Sequence, residues 1–163
     1  MRLTKYQKTI KKLFEEDQND RNSKSWKKFS DKERLSLIFK KDKKRIKIIE
    51  NILKKKPVFR GTDFFKIGFM LGHMGNTNYF RKTMFFAKKG MELNHQKSKW
   101  LYAAAMDKIL KNQKKNQKFG TLFKKDKNGK WDVYPVDRKT TDNKRKEFNI
   151  MSLLEIKNLL LLL

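Results

Sequence analysis

Apolar residues recur along this chain with two different periods, and the change of period divides it. Leu3, Tyr6, Ile10, Leu13 and Phe14 fall on one helical face and predict a helix over 3–17. The stretch after Asp17 to Lys28 is polar and predicts a loop. Ser30 with Glu33 three residues on is a capping box, which opens a helix over 31–40 carrying Leu35, Leu37, Ile38 and Phe39. Asp42 begins a further run over 42–55 with Ile46, Ile49, Ile52 and Leu53, closed by Pro57. Phe64, Phe65, Ile67, Phe69, Met70 and Leu71 predict a central helix over 62–73, whose Gly68 and Gly72 imply close packing against a neighbour. Gly75-Asn76 breaks the chain before helices over 77–90, with Tyr79, Phe80 and Phe85, and over 97–112, with Trp100, Leu101, Ala104 and Ile109.

The period then shortens. Phe119–Phe123 and Trp131–Val136 read as strands around Asp126-Lys127-Asn128-Gly129, an Asn-Gly hairpin signal, so a β-hairpin is expected over about 118–136 with Pro135 on an edge. Thr141-Asp142 caps a short helix over 141–148, and Ser152 with Glu155 opens a last one over 152–161. The expected fold is mainly α, one compact helical domain over 1–163 with a small hairpin near its C-terminus. No internal repeat is present.

Composition narrows the class of partner. The chain has 163 residues with 43 Lys and Arg against 17 Asp and Glu, a formal net charge of +26. Leu, Ile, Val and Phe make up roughly a quarter of it, enough to build a core. Such a charge on a short chain repels itself, and a polyanion relieves the repulsion. Nucleic acid is the leading candidate, before an anionic membrane surface and an acidic protein. Arg residues number only 8. Bidentate base contacts are therefore scarce, and backbone binding with little sequence choice is expected. The lysines expected on phosphate are Lys40, Lys41, Lys43, Lys44 and Lys47, then Lys111, Lys114, Lys115 and Lys118, then Lys124, Lys125, Lys127 and Lys130 on the hairpin. Tyr6, Trp26 or Trp131 would stack on a base. RNA is favoured over DNA, with a ribonucleoprotein as the setting.

Catalytic signals are sparse. There is no cysteine, which excludes disulfides, thiolate metal sites and a Cys nucleophile. Phosphate-loop, dinucleotide and zinc-protease motifs are absent, and no cofactor is expected. Two histidines alone do not make a zinc site. His95, among Lys and Gln, is expected to be a solvated surface residue. His73 falls at a helix C-terminus, where the dipole favours it and where a general acid or base could also sit. Asp107 lies within an apolar helix and needs a partner, an Arg or Lys of the core, unless it is catalytic.

These residues carry a resemblance. Asp17-Gln18 with Arg21, then His73, then Asp107-Lys108, then Gln117 with Phe119-Gly120-Thr121, then Asp142 with Arg145, and finally Ile150 and Leu153 follow one another in order. The series resembles that of the bacterial domain-of-unknown-function family number six-six-two-four, over about Leu13 to Leu154. The chain departs from the pattern at Gly72, where the family has Gln, at Met74-Gly75, where an acid is usual, at Lys108 in place of Arg, and at Leu122 in place of Gln. The resemblance implies a mostly helical fold with a hairpin and assigns no reaction. It draws attention to Asp17, Arg21, His73 and Asp107 as polar residues of several helices that could meet in one cleft.

Two alternatives to nucleic-acid binding follow. In the first, Asp17, His73 and Asp107 form an acid–base or carboxylate–His metal site, Arg21 binds an anionic substrate, and the chain is a nuclease or a nucleotide-processing hydrolase. In the second, the chain is an accessory subunit that meets an acidic protein, with Leu159–Leu163 as an interface, although packing of that tail on its own core is preferred. No run of ~18 apolar residues is present, so no membrane-spanning helix is expected. The opening Met1-Arg2-Leu3-Thr4-Lys5 lacks an export signal, and a cytoplasmic or organelle-interior location is expected.

Overall fold

The computed structural model describes residues 2–22 and 29–162. Seven α-helices and one two-stranded hairpin make up the regular structure among these residues. They are α1 (Lys5–Asn22), α2 (Asp31–Lys54), α3 (Gly61–Leu71), a 3₁₀ turn (Gly72–Met74), α4 (Thr77–Glu92), α5 (Lys97–Asn112), β1 (Phe123–Lys125), β2 (Trp131–Val133), α6 (Asp142–Glu147) and α7 (Leu153–Leu160). The mainly helical domain with a late hairpin is the fold expected from the pattern.

Two helix boundaries differ from expectation, for one reason. α1 does not end at Asp17 but continues to Asn22, and the expected helices over 31–40 and 42–55 are a single helix. Both errors come from taking polar residues as breaks. Asp17, Asp42 and Arg45 are buried, and their charges pair across the two helices with Arg21 between them. No Gly or Pro interrupts 31–54. Ser30 does cap α2 reciprocally with Glu33 as expected.

The larger core joins α1 to α4 through Ile10, Ile49, Ile67, Met70, Leu71 and Phe86. Here α3 comes close to its neighbours because Gly68 has no side chain. A Cβ there would lie 3.2 Å from a Leu101 methyl and 3.3 Å from Phe86 Cβ. The smaller core holds Ala103, Phe119, Val133, Ile150 and Ile156 and fastens the C-terminal segment to α5.

The hairpin is shorter than expected. Phe123 pairs with Val133, Lys124 with Asp132 and Lys125 with Trp131. Gly129 takes φ +80° after a turn in which its amide donates to Asp126 O at 3.1 Å, while Asn128 stays out of the left-handed region, so the hairpin turns there without a two-residue Asn-Gly turn. Residues 119–122 form no strand. The Gln117 side chain braces this segment instead, donating to Leu122 O and Tyr134 O at 3.1 and 2.8 Å and accepting from Leu122 N at 2.9 Å. Among the described residues, no helix is long and apolar enough to cross a membrane.

Candidate functional site

The i, i+4 spacing of Asp17 and Arg21 puts both on the α1 face turned towards α2. Arg21 Nη1 donates to Asp17 Oδ1 at 2.6 Å, and its Nη2 donates to Asp42 Oδ2, also at 2.6 Å. Arg45 Nη1 donates to the other Asp42 oxygen at 2.9 Å, and Arg45 also pairs with Asp20. Lys41 joins Asp20 at 2.6 Å. Alternating charges therefore run from α1 across α2, and each of these carboxylates has a cation.

The inner end of this chain of charges is His73. Its Nδ1 lies 3.1 Å from Asp17 Oδ1, while Gln18 donates to Asp17 Oδ2 at 2.7 Å. Burial works against ionisation of Asp17. The bond and charge of His73, the charge of Arg21 and the Gln18 bond outweigh it and hold the carboxyl below the usual carboxylate range. An ionised Asp17 can only accept, so His73 Nδ1 donates to it and Nε2 is the ring nitrogen that Asp17 does not engage.

His73 borders a cleft made of two adjoining hollows of about 240 and 380 Å³. Both are lined by Gly72, His73, Phe80, Lys108 and Leu122. The inner hollow continues along Phe69, Trp100, Ala104 and Ala105 and is mostly apolar, and the outer one opens past Lys111 and Asn112. Phe69 meets the His73 ring edge-on at 4.9 Å between centroids. Lys108 Nζ lies 3.4 Å from Gly72 O and 5.3 Å from the centre of the Phe80 ring. Burial, and secondarily the Arg21 charge, pushes the Lys108 ammonium below its usual pKa.

Asp107 is not part of the Asp17–His73 pair, and its partner is not the core cation expected of it. Oδ1 accepts from the amides of Lys118 and Phe119 at 2.7 and 2.9 Å. Oδ2 accepts from the amide and the hydroxyl of Thr121 at 3.0 and 2.8 Å. Four donors occupy the carboxylate, so it has no capacity left for acid–base work or for a metal. Its effect on the cleft is indirect, because it folds the loop whose Thr121 and Leu122 form one wall. Arg145, likewise buried, donates to Thr140 O at 2.8 Å and Asp142 Oδ1 at 2.9 Å.

The lysines fall into two groups. Lys40, Lys43, Lys44 and Lys47 occupy the exposed side of α2, opposite its buried side. Lys41 pairs with Asp20. The α5 and hairpin lysines converge. Lys111 Nζ lies 4.1 Å and Lys124 Nζ 5.7 Å from the centre of the same Tyr134 ring, and Lys118 and Lys125 lie over Phe119 and Trp131 at 5.8 and 5.1 Å. Lys114, Lys115, Lys127 and Lys130 are exposed.

Other expectations need correction. Tyr6 packs against the larger core and is only partly buried, and Trp26 lies outside the described residues. His95 is not a freely solvated side chain. It lies 5.0 Å from the Phe65 ring, with Nδ1 3.0 Å from Ser98 Oγ. Burial, with the charges of Lys97 and Lys66, lowers its pKa. The final leucines pack only in part. Leu160 joins the smaller core, while Leu159, Leu161 and Leu162 are exposed.

The site residues missed from sequence are Asp42, Arg45, Lys108, Phe69 and Trp100. The Asp42–Arg45 i, i+3 spacing was a usable signal, whereas nothing local marked the aromatic walls. Among the described residues, no three His, Asp or Glu side chains are grouped to hold a metal ion. Comparisons with protein-family models, with curated proteins and with solved structures return no match for this chain.

Proposed function

We propose that this protein binds nucleic acid through its phosphate backbone, using the lysines at the C-terminal end of α5 and on the hairpin. The observation that carries the proposal is the convergence of Lys111 and Lys124 from separate elements on one tyrosine ring. Among the described residues, neither these two nor Lys114, Lys115, Lys118, Lys125, Lys127 and Lys130 are in an ion pair. The nearby acids are turned to main-chain amides. Asp126 accepts from Asn128 and Lys130 at 2.8 and 2.9 Å, and Asp132 accepts from Val133 at 2.7 Å. Like charges held together without ion pairs favour a phosphate ligand, and aromatic rings between them suit a strand with exposed bases. Lys40, Lys43, Lys44 and Lys47 come from the single helix α2, and we take them as a solvated face rather than part of the track.

The absorbance ratio at 260 and 280 nm of the purified protein tests this. Nucleic acid that co-purifies and leaves only on a high-salt wash or nuclease treatment is the expected result. A protein-only spectrum at low salt, with no binding of added oligonucleotide, would refute it.

A second reading has one specific observation in its favour. A buried aspartate orients His73 at the edge of a cleft, the arrangement that prepares an imidazole for general acid–base work on the bound strand. His73→Ala separates the two. Hydrolysis of a bound strand would disappear under this reading, whereas backbone binding alone would scarcely change.

A further inference from the structure

We infer that the cleft beside His73 receives a single unstacked base of a bound strand, with the adjoining phosphate held by Lys108 and Lys111. This rests on the proposed nucleic-acid binding and makes it specific for single strands. The shape of the cleft supports it. At about 240 Å³ the inner hollow is smaller than the ~300–1,000 Å³ sites of drug-sized ligands, so it suits one planar ring system. Phe69, Phe80 and Trp100 are its aromatic walls, and Ala104 and Ala105 are small lining residues that leave space open.

The charge is placed to match. Lys108 and His73 line both hollows, and Lys111 lines only the outer one. An apolar planar group therefore goes in first and its anionic group stays at the rim. Lys111 also belongs to the lysine group over Tyr134, so the rim is continuous with the proposed phosphate track. Base pairs of a duplex cannot enter a one-ring hollow without unpairing, so a duplex touches only the rim.

The test is fluorescence anisotropy at low salt with three labelled ligands of equal length, namely a single strand, the same strand with abasic sites throughout, and the duplex. Free mononucleotide serves as competitor. The intact single strand is expected to bind about tenfold or more tighter than the abasic strand, the size of one base–aromatic stack. Ala104→Leu, which fills the hollow, is expected to remove that difference and leave abasic binding unchanged. Its folding is checked by circular dichroism. Should it misfold, Trp100→Ala with a 2-aminopurine-containing strand gives the same readout through loss of quenching.

Equal, salt-sensitive binding of all three ligands would overturn the base pocket and leave backbone binding standing. Failure of every ligand to bind would overturn both. A free mononucleotide that binds as tightly as the strand would overturn the strand as the source of the base.

Discussion

Asp17 and Asp107 are both aspartates with no exposed surface, and their hydrogen-bond partners come from opposite sources. Side chains hold Asp17, namely Arg21, Gln18 and His73, and one of these is a titratable group at a cleft. Main-chain amides from a single loop, with one hydroxyl, hold Asp107. A carboxylate bound by side chains passes its charge on to a group that lines a cleft. A carboxylate bound by amides fixes the course of the backbone. Burial and residue type are the same in the two cases, so the partners decide the role.

Substitutions should separate them. Asp107→Ala leaves three amides and a hydroxyl without their acceptor, each worth ~1–3 kcal/mol before relaxation, and is expected to destabilise the protein by about 3–5 kcal/mol in urea unfolding. A change below about 1 kcal/mol would show that the loop is held by other means. Asp17→Ala is expected to be milder, about 1–3 kcal/mol, because Asp42 still accepts from both Arg21 and Arg45. Thr121→Val removes one hydroxyl donor and should lie near ~1 kcal/mol.

The pH dependence sharpens the contrast. The folded pKa of Asp17 lies below its unfolded value, so its contribution is present above about pH 4 and fades as pH falls through the folded pKa. Asp17→Asn should flatten that acid limb of the stability profile. His95 also has a lowered folded pKa, so the fold favours its neutral form. Its contribution is present above about pH 6.5 and lost on acidification below that. His95→Gln should remove this smaller step. Lys108 is shifted the same way as His95, chiefly by burial, so its charge costs stability at pH below its unfolded value. Lys108→Met is expected to raise stability and weaken strand binding, the pattern of a residue kept for function.

Much of the fold was legible because its signals are local. The capping boxes Ser30–Glu33 and Ser152–Glu155 each lie within four residues and form as expected, and the chain turns at the Asn128-Gly129 signal. What failed was non-local. Lys40-Lys41-Asp42 looked like a break because the partners of Lys41 and Asp42, on Asp20 and Arg21, lie 21 residues away in the chain. The strand expected from Phe119 was displaced by amides committed to Asp107, 12 and 14 residues upstream. At the site, Asp17, Arg21 and His73 stood out in the sequence and do meet. Lys108 was marked only as the neighbour of Asp107, and Phe69 and Trp100 only as apolar helix positions, because a cleft wall belongs to three helices at once and leaves no mark of its own in any one of them.

The most direct test of the binding surface is the salt dependence of single-strand affinity for the wild type and for Lys111→Gln/Lys124→Gln. Wild-type binding should fall log-linearly with salt. The double variant should reduce the slope by about 0.7 for each phosphate it no longer neutralises, while Lys43→Gln/Lys47→Gln on α2 leaves the slope unchanged. Salt-independent binding, or equal slopes for the wild type and the α5–hairpin variant, would contradict a phosphate track at Tyr134.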